Sequence, residues 1–170
     1  MQSILVSACL LGHPVRYDGG GAELESRVLS RWAAEGRVVA VCPEVAEGLP
    51  TPRPPAEISR AAGGSLVLEG VATVIDAVGR DVTPSFIRGA DHALAVSRAR
   101  GVRIAVLKDG SPSCGTTYTY DGSFTGRRVP EPGVTAACLR DAGLRVFSET
   151  QLEEASACLA ELEPESTREA

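Results

Sequence analysis

Three short apolar segments of the chain each lead to a cysteine, and this pattern constrains the fold more than any other feature of the sequence. Apolar runs of about four to eight residues that are bounded by turn residues are typical of strands buried inside a sheet. If the three runs form neighbouring parallel strands, their carboxyl ends lie at one rim of the sheet, where open α/β sheets bind ligands. The runs are residues 4–8, 38–41 and 102–107, and they lead to Cys9, Cys42 and Cys114 respectively.

The predicted meeting of three thiols has a chemical consequence. Adjacent strands lie about 4.8 Å apart, so the ends of three neighbouring strands fall within about 10 Å of one another. One iron-sulfur cube can bridge that span. Long stretches of chain separate the three cysteines, and no CxxC motif brings two of them together locally. Only the tertiary fold can therefore unite them.

Helical and extended patterns alternate along the rest of the chain. Apolar residues recur at helical spacing over residues 22–35, so this segment and the first two strands predict a βαβ unit. Further helices are predicted over residues 83–99, over 133–141 and after Ser148, with a strand at 144–147. The alternation predicts an α/β fold, a single three-layer sandwich with a mainly parallel, Rossmann-like sheet. We assign this domain to residues 1–162 and a polar tail to residues 163–170.

Two segments interrupt the alternation. Residues 43–55 contain five prolines, which we expect to forbid a helix and to form a stiff extended loop beside the rim, braced by Arg53. Residues 65–78 contain two β-prone stretches around Gly70 and predict a hairpin or an edge ribbon.

Charge and cysteine content restrict the partners and the compartment. With 17 basic and 22 acidic residues the formal charge is −5, which disfavours nucleic acid as a partner and suits a small substrate. No apolar stretch reaches bilayer length and no secretory pattern opens the chain, so we expect no membrane association and a cytoplasmic location. Five cysteines are then expected to be reduced thiols. The sequence does not specify an oligomeric state.

Several common catalytic motifs are missing from the sequence. It contains no GxxxxGK[ST] phosphate loop, no GxGxxG after the first strand, no GxSxG elbow and no HExxH, and it has only two histidines. Cys138 and Cys158 fall in predicted helices beside apolar residues, where free cysteine usually behaves as a small buried hydrophobe. The rim cysteines therefore remain the main candidates for chemistry.

Polar residues flank the rim cysteines. Ser111 and Ser113 precede Cys114 and offer donors that can stabilise a thiolate or a cluster sulfur. Glu44 follows Cys42 closely and offers a general base. Asp18 and Lys108 are predicted to lie on a loop or strand end near the same rim. A substrate-binding role and a structural role are equally open for both.

Several sequence segments together resemble a known family. They are residues 6–12, 16–19, 48–58, 107–108 and 133–136, with Cys42-Pro43-Glu44, Ser111-Pro112-Ser113-Cys114-Gly115 and Tyr120-Asp121-Gly122-Ser123-Phe124. In type and order these segments resemble the thiouracil desulfidase (TudS-like) family, long described as a domain of unknown function. The resemblance extends from Ser3 to about Glu149.

The resemblance implies a cofactor, a reaction and site residues. It implies an oxygen-sensitive 4Fe-4S cluster held by Cys9, Cys42 and Cys114, and desulfuration of 2-thiouracil to uracil with release of sulfide. It also implies that Glu44 and Ser111 act in the active site. The sequence departs from the family at Glu47, where a small residue is expected, and at Cys138, where leucine is common.

A mechanism follows from three-cysteine ligation. Three thiolates leave one iron of the cube without a protein ligand, and we predict that the soft thiocarbonyl sulfur of a thio-nucleobase binds that iron. Water then attacks carbon, with Glu44 activating the water and Ser111 hydrogen-bonding substrate or sulfur. Asp18, Lys108 and Ser113 are weaker candidates for substrate binding. The reaction is not a redox reaction, so no flavin or nicotinamide is expected.

Two other functions are compatible with the same residues. Cys114 alone could act as a low-pKa nucleophile in a transferase or hydrolase. The cysteines could also hold zinc or a cluster in a non-enzymatic metal-binding module, although structural zinc usually takes four protein ligands.

Overall fold

The computed structural model describes residues 1–163, which form eight strands and six α-helices. Two short 3-10 helices, Ala8–Leu11 and Ser59–Ala61, add single turns. In chain order the other elements are β1 (Ile4–Ser7), α1 (Arg27–Ala34), β2 (Val38–Val41), α2 (Pro43–Ala46), β3 (Ala56–Ile58), α3 (Gly64–Leu68), β4 (Val74–Asp76), α4 (Thr83–Ala99), β5 (Ile104–Leu107), β6 (Thr119–Tyr120), β7 (Arg128–Val129), α5 (Val134–Asp141), β8 (Arg145–Ser148) and α6 (Leu152–Leu162).

A four-stranded parallel sheet forms the centre of the fold, with the strand order β2-β1-β5-β8. All four residues of β1 are buried, as expected for a strand with neighbours on both sides and helices on both faces. Ser7 at the end of β1 pairs with Val41 at the end of β2, and Val6 pairs with Val106 of β5. The three strands that precede the rim cysteines are therefore adjacent and in register, which confirms that prediction.

Helices cover both faces of this sheet. Ile4 and Val6 of β1 point to one face and share a core with Trp32 of α1 and with α6. Leu5 points to the opposite face and shares a second core with Ala93 of α4 and Leu139 of α5. Because residues alternate between the faces of a strand, one apolar run supplies both cores. The predicted three-layer α/β sandwich with a parallel sheet is confirmed.

Two small antiparallel ribbons lie outside the central sheet. Strand β3 pairs with β4, and β6 pairs with β7. A third core containing Ile58, Val67 and Phe86 joins the first ribbon to α3 and α4. The ribbons contact each other through β3 and β6, and they extend the fold beside the rim of the sheet.

The prediction that the proline-rich segment contains no helix is wrong at its first residues. Pro43 begins the short helix α2, with Cys42 as its N-cap. Proline is tolerated in the first turn of a helix, because the N–H that it lacks has no partner within the helix there. The later prolines do produce a non-helical loop, and Arg53 braces it through hydrogen bonds to the Pro50 carbonyl and the Thr51 hydroxyl, both 3.1 Å long.

The segment 65–78, predicted as a hairpin or an edge ribbon, contains no hairpin, and only its second half joins a two-stranded ribbon. Its first half forms α3, which buries Val67, and its second half forms β4, which pairs with β3 from outside the segment. A short apolar run is compatible with either a strand or a buried helical turn, and packing against distant residues selects between them.

The ends of the described chain are joined. The Glu163 carboxylate accepts a hydrogen bond from the Gln2 backbone N–H at 2.9 Å and one from Arg37 at 2.6 Å. Glu163 is the first residue of the predicted polar tail, and the rest of that tail lies outside the described residues. Within residues 1–163, no helix has both the length and the apolar character that crossing a bilayer requires.

Candidate active site

A cavity of about 440 Å³ lies at the carboxyl ends of β1, β2 and β5. Cys9, Cys42 and Cys114 all line it. None of the three forms a disulfide. The three thiols that are far apart in sequence therefore meet at one rim because their strands are neighbours in the sheet.

The chain turns sharply after β1 and β2, and these turns bring the first two thiols to the cavity. Cys9 lies in the 3-10 turn Ala8–Leu11 and is buried. Burial raises the pKa of Cys9 to about 11, with the charge of Cys42 adding to the effect. Cys42 caps α2, is half-buried, and also has a raised pKa because of burial. The Cys42 Sγ lies 4.0 Å from the Val15 carbonyl oxygen.

Cys114 reaches the cavity from the loop after β5 and is buried. Its pKa is raised, chiefly by burial and further by the charges of Cys9, Cys42 and Glu44, while a hydrogen bond from Ser7 opposes the rise. A nucleophilic cysteine needs a lowered pKa, so this environment does not favour the hypothesis of a lone Cys114 nucleophile.

The donor set fits a metal cluster better than a single ion. Among residues 1–163, no three His, Cys, Asp or Glu side chains are placed to hold one metal ion. Three desolvated thiols do share the cavity; their thiolate forms would repel one another, and a cationic centre would favour those forms. Cysteine thiolates are the usual ligands of iron-sulfur clusters, so these residues fit such a group.

A buried carboxylate shapes the loop that carries Cys114. Asp109 Oδ1 accepts hydrogen bonds from the backbone N–H groups of Thr116 at 2.9 Å, Thr117 at 3.0 Å and Tyr118 at 3.2 Å, and the Thr117 hydroxyl donates to Oδ2. Burial alone would raise the pKa of Asp109, but these hydrogen bonds lower it. The role of Asp109 was not predicted from the sequence; the adjacent glycine, Gly110, is the turn signal that could have indicated it.

Ser111 lines the cavity and also organises the loop. Its Oγ accepts hydrogen bonds from the backbone N–H groups of Ser113 and Cys114, each 3.0 Å long. Because the hydroxyl oxygen is the acceptor in both, its own hydrogen is free to point to another acceptor. Ser113 is fully buried behind the cavity wall, with its hydroxyl 2.8 Å from that of Thr135.

Glu44 lines the cavity from α2. Burial raises the pKa of its carboxyl, while the guanidinium of Arg53, with Nε 3.4 Å from Glu44 Oε1, partly opposes the rise. The Arg53 side chain is only 5% exposed and also donates to the Val15 carbonyl at 2.9 Å. Arg53 thus joins the carboxyl of Glu44 to two loops of the rim.

The structure places the two remaining candidates differently. Lys108 lines the cavity, but its ammonium is held by Glu149 Oε1 at 2.9 Å and by the Asp109 carbonyl at 3.1 Å. Asp18 is exposed and does not line the cavity; its carboxylate accepts the Gly20 N–H within its own turn.

Aromatic side chains form another part of the cavity lining, which the sequence analysis did not identify. Tyr17, Tyr118, Tyr120 and Phe124 belong to it. The rings of Tyr118 and Tyr120 meet edge to face at 5.9 Å, and the Arg128 guanidinium lies 4.1 Å from the Tyr118 centroid. One cavity thus combines soft sulfur donors, a buried carboxyl group and flat apolar surfaces.

Comparison with known proteins identifies the family of this chain. A family model described as 2-thiouracil desulfurase matches residues 4–151. The chain belongs to the 2-thiouracil desulfurase family. The resemblance drawn from the sequence motifs is thereby confirmed.

Two relatives align with this chain over nearly their whole lengths. A solved structure of the 4Fe-4S-dependent thiouracil desulfidase TudS is 48% identical and matches with a TM-score of 0.86 over 95% of this chain and 100% of that chain. The uncharacterized protein YbbK of Bacillus subtilis (strain 168) is 42% identical over 149 residues, which are 88% of this chain and 97% of YbbK.

Proposed function

We propose that this family member is an iron-sulfur-dependent desulfidase that converts thiouracil, or a related thio-nucleobase, to uracil with release of sulfide. The observation that carries this proposal is the meeting of three unpaired thiols with Glu44 and Ser111 in one cavity. The cytoplasm remains the predicted location, because its reducing conditions keep such thiols available.

Cys9, Cys42 and Cys114 would hold a 4Fe-4S cluster in this proposal. The bound cluster would supply a Lewis-acidic iron for the thiocarbonyl sulfur. Cysteine supplies every sulfur donor in the described cavity lining, and two of the three thiols are buried.

Glu44 is the proposed general base. The overall change is a hydrolysis: the oxygen of one water replaces sulfur on carbon, sulfur leaves as hydrogen sulfide, and no electron is exchanged. A carboxyl group whose pKa is raised by burial takes up a proton more readily than an exposed one, which suits Glu44 to accept a proton from the attacking water and return it to the leaving sulfide.

Ser111 is the proposed hydrogen-bond donor to substrate. Its oxygen already accepts two backbone N–H groups, which fixes the oxygen and leaves its hydrogen for a sulfur or oxygen acceptor in the cavity. Lys108 would bind substrate from the cavity wall through its ammonium charge. Its ammonium group is held in place there by the Glu149 carboxylate. Direct substrate binding by Asp18 and Ser113 stays a prediction that nothing in the cavity lining supports.

The deciding experiment is anaerobic reconstitution with iron and sulfide, followed by assays of 2-thiouracil, 4-thiouracil and thiouridines for sulfide and for the oxygenated product. We expect a brown protein that turns over at least one free thio-base. Cys114→Ser is expected to lose both colour and activity. Cys138→Ser, which changes a cysteine outside the cavity, is the matched control and is expected to keep both.

Two results would contradict the proposal. A colourless protein with full activity would favour the cysteine-nucleophile alternative. A stably brown protein without desulfuration of any thio-nucleobase would favour a non-enzymatic metal-binding module.

A further inference from the structure

The aromatic side chains of the cavity have no part in the chemistry proposed above, and Phe124 is one of them. Phe124 lines the cavity and is 39% exposed, and Tyr17 of the same lining is 41% exposed. Single exposed apolar residues are common on protein surfaces and need no explanation. Phe124 differs from them because of its backbone.

Phe124 has a φ of 58°, in the left-handed region that bulky side chains rarely adopt. Such a conformation costs free energy and persists only where the surroundings impose it, and residues of this kind are frequent at ligand clamps. The surroundings of Phe124 must therefore contain a group that holds it.

The carboxylate of Glu57 is that group. Glu57 Oε1 accepts hydrogen bonds from the N–H of Gly122 at 3.0 Å and from the N–H of Phe124 at 3.2 Å. The backbone before Phe124 is also held by the 3-10 turn Ser59–Ala61 that follows β3. The Asp121 carbonyl accepts the Ala61 N–H at 2.9 Å.

Gly122 permits this close approach. A Cβ at Gly122 would lie 2.7 Å from the Ile58 carbonyl oxygen, and its φ is 93°. Only glycine fits both constraints, so the loop between β6 and β7 is held on β3 with Phe124 at the cavity. The bulky residue at the strained position is thus the one that faces the cavity.

We propose that Phe124 is a stacking clamp for the flat ring of the substrate, and that Glu57 is a positioning residue that acts through Phe124. This inference rests on the proposed function for the identity of the ring. The substrate class that it implies is a planar heterocycle whose open face can lie against an aromatic side chain, with the tyrosines as further apolar surface.

The test uses the anaerobically reconstituted enzyme and two measurements. The first is kcat and KM for 2-thiouracil, and the second is calorimetric binding of uracil, which needs no turnover. Phe124→Ala is expected to raise the KM and the uracil Kd about tenfold, in line with measured base-aromatic stacking, while kcat stays within about threefold. Phe124→Tyr is expected to remain close to wild type. Leu66→Ala, at a residue 38% exposed outside the cavity, is the matched control.

A double-mutant comparison tests the role of Glu57. Glu57→Ala is expected to raise the KM about as much as Phe124→Ala, and the double variant no further, because both changes remove the same contact. Glu57→Gln retains an oxygen acceptor and is expected to rescue binding. Phe124→Gly is expected to be more stable than Phe124→Ala and to bind as weakly, because glycine relieves the left-handed strain without restoring the ring.

The outcomes separate this inference from the proposed function. An active wild type whose KM and uracil Kd are unchanged by Phe124→Ala overturns the clamp and leaves the desulfidase proposal intact. Multiplicative effects in the double variant overturn the role of Glu57 through Phe124. An inactive wild type that binds uracil through Phe124 contradicts the proposed reaction and supports the clamp. A wild type that neither binds uracil nor reacts overturns both.

Discussion

The Glu44 carboxyl is subject to two opposing influences. Burial beside the cavity raises its pKa, and the Arg53 guanidinium partly lowers it again. Such a balance is common where a carboxyl group must gain and lose a proton during a reaction. A substitution of Glu44 therefore tests its part in proton transfer, while the absorbance of the bound cluster reports whether the site keeps its structure.

Glu44→Gln is expected to lower kcat by a factor on the order of 10² to 10⁴, because an amide cannot accept the proton of the attacking water. Visible absorbance of the reconstituted protein is expected to stay unchanged. Glu47→Gln is the matched control, because Glu47 pairs with Arg88 and does not line the cavity. Full activity of Glu44→Gln with intact absorbance would remove Glu44 from the mechanism.

The Asp109 carboxylate predicts an acid dependence of stability. Its pKa is lowered by hydrogen bonds in the folded state, so the contribution to stability is present above the unfolded value of 3.8 and is lost as the pH falls through the folded value. We expect the free energy of unfolding to fall more steeply below about pH 4 in the wild type than in Asp109→Asn. Denaturant titrations at several acid pH values measure this, and parallel curves for the two proteins would contradict it.

At the scale of elements, the contact of α4 with α2 positions one side of the cavity. Gly89 of α4 lies against Pro43, and a Cβ at Gly89 would lie 2.5 Å from the Pro43 carbonyl oxygen. Helix α2 begins at that proline and carries Glu44, with Cys42 as its cap. A glycine in the middle of a long helix is thus explained by close packing.

Gly89→Ala separates packing from helix propensity. The higher helix propensity of alanine alone would raise the free energy of unfolding by about 1 kcal/mol. Overpacking against a neighbouring element usually lowers it by about 1–3 kcal/mol. Because the clash is with backbone, we expect a net loss of about 1 kcal/mol or more in the free energy of unfolding, measured by urea titration. A weaker visible absorbance after reconstitution is expected as well, since Cys42 moves with α2. A more stable Gly89→Ala variant would show that α2 can move away from α4 at little cost in free energy.

At the scale of the whole molecule, the three rim cysteines follow the first, second and fifth strands of the fold. A group bound by all three cross-links segments far apart in the chain, and it binds the folded state more strongly than the unfolded one. The proposed cofactor is therefore expected to contribute to global stability as well as to chemistry.

The reconstituted wild type is expected to unfold several degrees above the metal-free protein in anaerobic thermal scans. Cys114→Ser is expected to abolish this difference, and Cys138→Ser is expected to keep it. Equal midpoints for the loaded and metal-free wild type would mean that the bound group does not link the strands.

The contributions of sequence and fold can be separated residue by residue. The apolar runs before Cys9, Cys42 and Cys114 identify buried strands, and strand adjacency follows from the βαβ pattern. The turn before Gly110 hints at Asp109, but neither its role nor that of Glu57 can be read from the chain, because their partners are backbone N–H groups that the folded loops bring near. Helix α2 was missed because a proline that ends most helices can also begin one.

Taken by itself, the sequence determined the layered α/β fold, the family and the three cysteines at the rim, because hydrophobic periodicity and ordered motifs are local properties of a chain. The tertiary structure alone decided that Lys108 is paired with Glu149, that Asp18 does not line the cavity, and that Glu57 holds Phe124 at its edge. Those relations join residues distant along the chain, and their free energy depends on burial and contact, which exist only after folding.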